Sequence, residues 1–261
     1  MIALSVNINK VALIRNSREG NHPDLLTYAR QCVAFGAHGI TVHPRPDQRH
    51  IRAQDCAILK NGINVEFNIE GNPFAGFTPS GRKDVADYPG FMSIIREVRP
   101  HQCTLVPDAS GQLTSDHGFD LRGDTTQLRE IIAEIRALGI RVSLFMDPDC
   151  GQISLAREIG ADRIELYTGP YAAAENREKE FQVYEKAALH ARKEGLGINA
   201  GHDLNLENLP LFRRLPGLQE VSIGHALTID ALYLGLEETM GRYLAALNLR
   251  ELSATPQSHN H

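Results

Sequence analysis

Apolar and polar positions alternate along several short stretches of this chain, and between them apolar positions recur at helical spacing. Strand patterns fall at residues 3–9, 39–43, 63–70, 102–106, 141–146, 163–167, 197–200 and 220–223. Helical patterns lie at 23–35, 52–60, 88–98, 125–138, 152–159, 174–194, 206–214 and 229–247. Gly36, Gly139, Gly160 and Gly195 follow helical runs, where a residue that tolerates positive φ stops a helix. Strands alternating with helices predict a parallel sheet, and eight such units can close into a (β/α)8 barrel of the TIM type. The reading is one α/β domain over residues 1–250 and a polar, frayed tail over 251–261, whose His259 and His261 are not taken as ligands.

The side-chain period decides between an open sheet and a barrel. Strands covered by helices on both faces read as continuous apolar runs. Here Ile63, Val65, Phe67 and Ile69 alternate with Asn64, Glu66, Asn68 and Glu70. Leu4, Val6 and Ile8 alternate with Ser5, Asn7 and Asn9, and Ile164 and Leu166 with Arg163, Glu165 and Tyr167. Successive side chains point to opposite faces, so one face packs on helices and the other is polar. An antiparallel sheet with a solvated face would show the same period, but the intervening helices disfavour it. The expectation is a closed barrel with a polar interior near its C-terminal mouth, holding Asn7, Asn9, His43, Glu66, Glu70 and Glu165. Unpaired charges in such a place are costly, so the cluster should be wet, mutually paired and functional.

Composition narrows the function. The 261 residues carry 27 Lys and Arg against 32 Asp and Glu, a net charge of −5, which argues against a broad nucleic-acid surface. No run of apolar residues is long enough for a membrane span. The first residues lack a basic, then apolar leader and read as a strand rather than a signal peptide. Cys32, Cys56, Cys103 and Cys150 show no C-x-x-C spacing and read as reduced thiols in a cytoplasmic protein. No Rossmann or P-loop glycine pattern occurs, so no nucleotide or redox cofactor is implied.

The candidate chemistry sits after the strands. His43 is followed by Pro44-Arg45-Pro46-Asp47-Gln48-Arg49-His50, a loop with imidazoles and guanidiniums suited to an anionic substrate beside a base. Glu70 and Glu165 lie at or near the ends of their strands, where facing carboxylates raise each other's pKa. Asn199-Ala200-Gly201-His202-Asp203 and Ser222-Ile223-Gly224-His225-Ala226 follow the seventh and eighth strands, where barrels commonly hold phosphate. Lys10, Arg15 and Arg18 form a basic patch after the first strand that could clamp a second phosphate. A mixed metal site from His43, Glu70, His202 and His225 competes, but no H-x-H or H-E-x-x-H spacing exists outside the tail, so no metal is expected.

These residues also carry a resemblance. Val6-Asn7-Ile8-Asn9-Lys10-Val11-Ala12, then Arg15-Asn16-Ser17-Arg18, resemble the start of the pyridoxine 5′-phosphate synthase family. So do Gly39-Ile40-Thr41-Val42-His43-Pro44-Arg45, Asn68-Ile69-Glu70-Gly71, Ile164-Glu165-Leu166-Tyr167-Thr168-Gly169, Asn199-Ala200-Gly201-His202 and Ile223-Gly224-His225-Ala226. The resemblance runs in order from the first strand to the last helix. It implies an eight-stranded barrel with additional helices that serve assembly, typically into an octamer. The implied reaction joins 3-amino-2-oxopropyl phosphate to 1-deoxy-D-xylulose 5-phosphate, closes a pyridine ring, and releases phosphate and water.

By motif position the resemblance makes His43 and Glu70 proton acceptors, His202 the proton donor and Glu165 a stabiliser of cationic intermediates. Asn7, Arg18, Asp203, Gly224 and His225 become contacts to the amino-ketone phosphate. Asn9, Lys10, Arg45, His50 and Thr114 become contacts to the deoxyxylulose phosphate. Asn9-Lys10 stands where the family's better-known form has Asp-His, and Asp203 where a glycine is frequent. The alternatives are another phosphosugar isomerase or aldolase on the same barrel, and a non-catalytic binder of phosphorylated metabolites.

Overall fold

A computed structural model describes residues 1–109 and 111–248. The expected tail lies outside the described residues. The strands are β1 (Ala3–Asn7), β2 (Gly39–Val42), β3 (Glu66–Gly71), β4 (Gln102–Leu105), β5 (Arg141–Met146), β6 (Arg163–Tyr167), β7 (Gly197–Gly201) and β8 (Leu218–Ile223). Each pairs in parallel with the next, and β8 pairs with β1 to close the barrel. The helices are α1 (Asn9–Asn16), α2 (Leu25–Ala34), α3 (Ala53–Gly62), α4 (Phe91–Val98), α5 (Thr126–Ala137), α6 (Cys150–Glu158), α7 (Gly169–Ala173), α8 (Arg177–Lys193), α9 (Leu209–Phe212), α10 (His225–Leu234) and α11 (Leu236–Asn248).

The core lies between sheet and helices. Leu4, Val6, Ile40, Phe67, Ile69, Leu144, Ile164, Ile198 and Val221 face outward and are buried with Ala29, Leu59, Ile95, Ile132, Ile153 and Ala187 of the surrounding helices. Polar inward positions run from the floor to the mouth, further than the mouth-only polarity the sequence predicts, with Phe145 an apolar exception at the mouth. Midway, the Ser5 and Thr41 hydroxyls are 2.7 Å apart, and the Thr104 hydroxyl donates to Asn68 Oδ1 at 3.2 Å. On the floor Arg141 pairs with Glu66, and its Nε donates to Gln102 Oε1 at 2.8 Å. Arg163 donates to Asn199 Oδ1 at 2.9 Å and lies 3.8 Å from Glu220. Glu66 is therefore a paired floor residue rather than part of the mouth.

Several boundaries differ from the pattern. The first strand stops at Asn7, not Asn9, because Asn7 Oδ1 accepts from the Asn9 N–H at 3.1 Å and turns the chain into α1. The fourth helix begins at Phe91, not Tyr88, because Tyr88 forms an antiparallel bridge with Thr78. The expected last helix is two, α10 and α11, broken at Gly235 with φ +82°. Gly36, Gly139, Gly160 and Gly195 all have positive φ, as helix stops require.

The basic patch after the first strand also divides. Arg15 is 1% exposed, and its guanidinium donates to both carboxylate oxygens of Asp55 at 2.8 and 2.9 Å and to the His50 carbonyl at 2.9 Å. Asp55 in turn caps α3 by accepting from the Arg52 N–H at 2.7 Å. Arg15 thus ties α1 to α3 and the loop after β2, and it is no phosphate clamp. Removing one member of a buried pair strands the other charge. Arg15→Met should therefore cost ~3–5 kcal/mol in urea unfolding. Adding Asp55→Asn should recover most of that loss; equal stability of the single variant and wild type would contradict the anchoring role.

Candidate active site

The C-terminal ends of the strands open on a cavity of about 370 Å³. Asn7, Asn9, Lys10, His43, Arg45, His50, Glu70, Thr114, Glu165, His202, Asp203, Gly224 and His225 all line it. Of the residues to which the family resemblance gives a role, Arg18 is missing: it is exposed just past α1 and does not line the cavity. A second hollow, of about 450 Å³, lies on the N-terminal side between α2 and α3, where Arg30 is its only ionisable lining group. Chemistry, not volume, separates the two.

The base wall is built by β1 to β4. The His43 N–H donates to Asn9 Oδ1 at 2.9 Å, so the first residue of α1 fixes the backbone that carries the imidazole. The ring is buried, with Nδ1 3.8 Å from Glu70 Oε2 and Nε2 3.7 Å from Asp108 Oδ2. Burial, then the charges of Arg45, His50 and Arg49, hold His43 well below the usual imidazole range. Asn7 Nδ2 donates to Glu70 Oε2 at 3.4 Å. Burial, then the charges of Glu165 and Asp108, push Glu70 well above the carboxylate range. These shifts favour a neutral imidazole beside a protonated carboxyl, so the 3.8 Å contact is not an ion pair.

Glu165 sits deeper. The Thr104 hydroxyl donates to its Oε2 at 3.4 Å, and a Cβ on Gly201 would approach its Oε1 to 2.5 Å. Only glycine there leaves room for the carboxyl against β7. Burial and the Glu220 charge push Glu165 up to about 8, against the Thr104 hydrogen bond. Glu220, buried below, is raised to about 7 by burial and Glu66. These carboxylates thus share too little positive charge to ionise together.

The opposite wall comes from β7 and β8. His202 and Asp203 have φ of +84° and +55°, consecutive left-handed positions without glycine. The Thr168 hydroxyl donates to the Gly201 carbonyl at 2.6 Å and to that of His202, and Asn208 Nδ2 donates to the Asp203 carbonyl at 3.0 Å. Held so, the His202 ring stands edge-on to Tyr167 with centroids 5.1 Å apart, and its Nε2 is 2.9 Å from the Thr114 hydroxyl. Its Nδ1 lies 3.1 Å from Asp203 Oδ2, and that contact holds Asp203 below its ordinary pKa. A Cβ on Gly224 would come within 3.0 Å of Asn7, so glycine lets α10 begin against β1 and aim its N-terminus at the cavity.

Basic side chains stand on the rim. Arg45 pairs with Asp108 and donates to the Gln112 carbonyl at 2.9 Å; Lys10 and His225 are exposed. His50 accepts from the Ile51 N–H at 2.9 Å and is lowered to about 3 by burial and the neighbouring Arg45 and Arg49. Among the described residues, no group of three or more His, Cys, Asp or Glu side chains is arranged to hold a metal ion.

The family profile described as pyridoxal phosphate biosynthesis protein PdxJ matches residues 4–249. The chain belongs to this family. A pyridoxine 5′-phosphate synthase of Xanthomonas oryzae pv. oryzae is 54% identical over 97% of this chain and 99% of its own. One from Porphyromonas gingivalis is 52% identical over 95% and 100%. Among solved structures, phosphoribosyl anthranilate isomerase from Thermus thermophilus overlays with a TM-score of 0.56 at 12% identity, over 94% of this chain and 99% of that one, a likeness of fold alone. No described helix is long and apolar enough to cross a membrane.

Two site residues of this PdxJ-family chain escaped the sequence reading. Asp108 follows β4 as Glu70 and His43 end or follow their strands, which was the available signal. Glu220 shares its inward register with Asn199 and Glu165 across β6 to β8. Protonation gives a test of the carboxylate cluster. Between a free glutamate's pKa of about 4.3 and about 8, folded Glu165 keeps a proton that the unfolded chain releases, so its effect on stability worsens as pH rises through that window. Glu165→Gln should melt with wild type near pH ~4 and higher than wild type, by upwards of about 4 °C, near pH ~9. Coincident melting curves at both pH values would mean that Glu165 is not held neutral.

Proposed function

We propose that this chain is a pyridoxine 5′-phosphate synthase. It condenses 3-amino-2-oxopropyl phosphate with 1-deoxy-D-xylulose 5-phosphate and closes the pyridine ring with release of phosphate and water. The observation that carries the reading is the convergence of His43, Glu70, Glu165 and His202 on one cavity rimmed by Lys10, Arg45 and His225. Condensing an amine with a ketone needs a base to free the amine and acids to expel water. Loss of phosphate needs a proton donor at the leaving oxygen.

His43, which burial and its basic neighbours favour in the neutral form, is the first proton acceptor. Glu70 becomes an acceptor once the substrate's amine brings positive charge beside it, because a nearby cation restores the carboxylate. Glu165 answers the same cation from below and stabilises the iminium-like intermediates. His202, backed by Asp203, donates to departing oxygen. Asn7, Asp203, Gly224, His225 and the N-terminus of α10 take the amino-ketone phosphate, while Asn9, Lys10, Arg45, His50 and Thr114 take the deoxyxylulose phosphate. Arg18 lies off the cavity and has no place in this assignment within one chain. The protein needs no metal or organic cofactor in this reading and works in the cytoplasm.

The same reading makes the protein a homo-oligomer, an octamer on the family resemblance. α10 is apolar around most of its surface, and Leu232 and Tyr233 are 72% and 85% exposed. Leu13 and Ile14 of α1 are exposed as well. Wild type should scatter light as an oligomer, and Leu232→Asp with Tyr233→Asp should yield smaller species; an unchanged mass would move the interface elsewhere. For the chemistry, purified protein given both phosphates should form the pyridine chromophore with chelator present. Glu70→Gln should keep the fold and phosphate binding yet lose turnover by at least ~10²-fold. A parallel loss of binding and turnover would make Glu70 structural instead.

A further inference from the structure

Asp108 is a buried carboxylate that none of the assigned roles uses. It stands behind the cavity wall, and its backbone is pinned by Asn72 Nδ2, which donates to the Asp108 carbonyl at 2.7 Å. Its Oδ2 serves two neighbours at once: it pairs with the Arg45 guanidinium and lies 3.7 Å from His43 Nε2. Its Oδ1 is buried without a hydrogen-bond partner. Arg45 is the competing claimant, because its guanidinium both pairs with Asp108 and lines the cavity.

We propose that Asp108 is a positioning residue that couples substrate phosphate binding to activation of His43. In the structure Arg45 occupies the carboxylate. When Arg45 turns to an incoming phosphate, Asp108 is released to His43, and closing 3.7 Å to about 2.9 Å makes a hydrogen bond to Nε2–H. That bond fixes the tautomer with Nδ1 free as the acceptor, aimed at the reacting centre beside Glu70. No covalent step is involved; only the partner of Asp108 changes. The inference rests on the proposed reaction, in which Arg45 meets an anionic substrate and His43 is a base.

The charges around His43 fix the sign. Its own loop contributes Arg45, Arg49 and His50, β3 contributes Glu70, and the segment after β4 contributes Asp108. Glu165 and Lys10 act at one remove, on Glu70 and His50. Of these, phosphate binding changes Arg45 and Asp108 most: it cancels the guanidinium charge and leaves the carboxylate facing the ring. Both changes make the imidazole more basic.

The experiment compares wild type, Asp108→Asn and Asp108→Glu. Wild type must first turn over both phosphates; if it does not, the reaction assignment fails and Asp108 is not at issue. With wild type active, Asp108→Asn should keep KM for 1-deoxy-D-xylulose 5-phosphate within about threefold and lose kcat by about 10- to 10²-fold. The acid limb of its kcat profile should move to lower pH by about one unit, and Asp108→Glu should restore part of kcat. An unmoved limb, or a loss confined to KM, would overturn the proposal. Should Asp108→Asn not fold, NMR titration of His43 in wild type decides the matter. Inorganic phosphate should raise the imidazole pKa, and an unchanged titration refutes the coupling.

Discussion

A barrel that turns polar side chains inward has nowhere else to send their charges, and this constraint organises the molecule. No apolar plug fills the cylinder, so each inward group must find a partner within it or give up its charge. On the floor the main solution is pairing, Glu66 with Arg141 and Arg163 with Asn199, although Glu220, 3.8 Å from Arg163, is still raised to about 7 by burial and Glu66. Nearer the mouth no guanidinium stands among the strands, and the solution is protonation. Burial holds both Glu165 and Glu70 above the carboxylate range, helped by the Glu220 charge for the first and by Glu165 and Asp108 for the second. Raised carboxyls therefore gather toward the mouth, where the proposed function places its acid–base groups.

That arrangement explains which parts of the protein could be read from its letters. Period-two alternation is local, so the strands, the barrel and the inward set Asn7, His43, Glu70 and Glu165 were legible. Helix stops at Gly36 or Gly195 were legible for the same reason. What failed was non-local. Lys10 and Arg15 look alike in sequence, yet Arg15 is consumed by Asp55, forty residues away, while Lys10 reaches the rim. Asp108 and Glu220 acquire meaning only when β4 and β8 come beside their neighbours. The single expected helix near the C-terminus became two because one glycine at positive φ outweighed the continuity of its apolar pattern.

The departures from the family's better-known pattern also acquire physical content. Asn9 serves through its side-chain oxygen, which accepts from the His43 N–H. A carboxylate could accept that bond as well, but it would add a further negative charge to a wall that already carries Glu70 and Asp108, with Glu165 below. The neutral amide keeps the anchor without that charge. Lys10, one residue on, faces the rim and adds a permanent cation where an imidazole would be neutral near pH 7. Asp203 tolerates the left-handed backbone that follows His202, and its charge is partly spent on the His202 ring.

The distribution of charge then matches what the proposed substrates bring. Basic side chains sit on loops and helix starts at the rim, where Lys10, Arg45, Arg49 and His225 line the cavity that the proposed reading gives to two phosphates. Carboxyls sit on strands in the interior, where only a small cation can reach them. An amino-ketone phosphate carries both charges a short distance apart, so its binding neutralises rim and interior together. Either charge alone would leave the other half of the site uncompensated: a simple phosphate would not ionise Glu70, and a simple amine would not draw Arg45 away. In the proposed reaction the pocket thus reaches its working protonation state when a molecule of the right polarity fills it, because burial of the carboxyls disfavours their charged forms until a cation stands beside them.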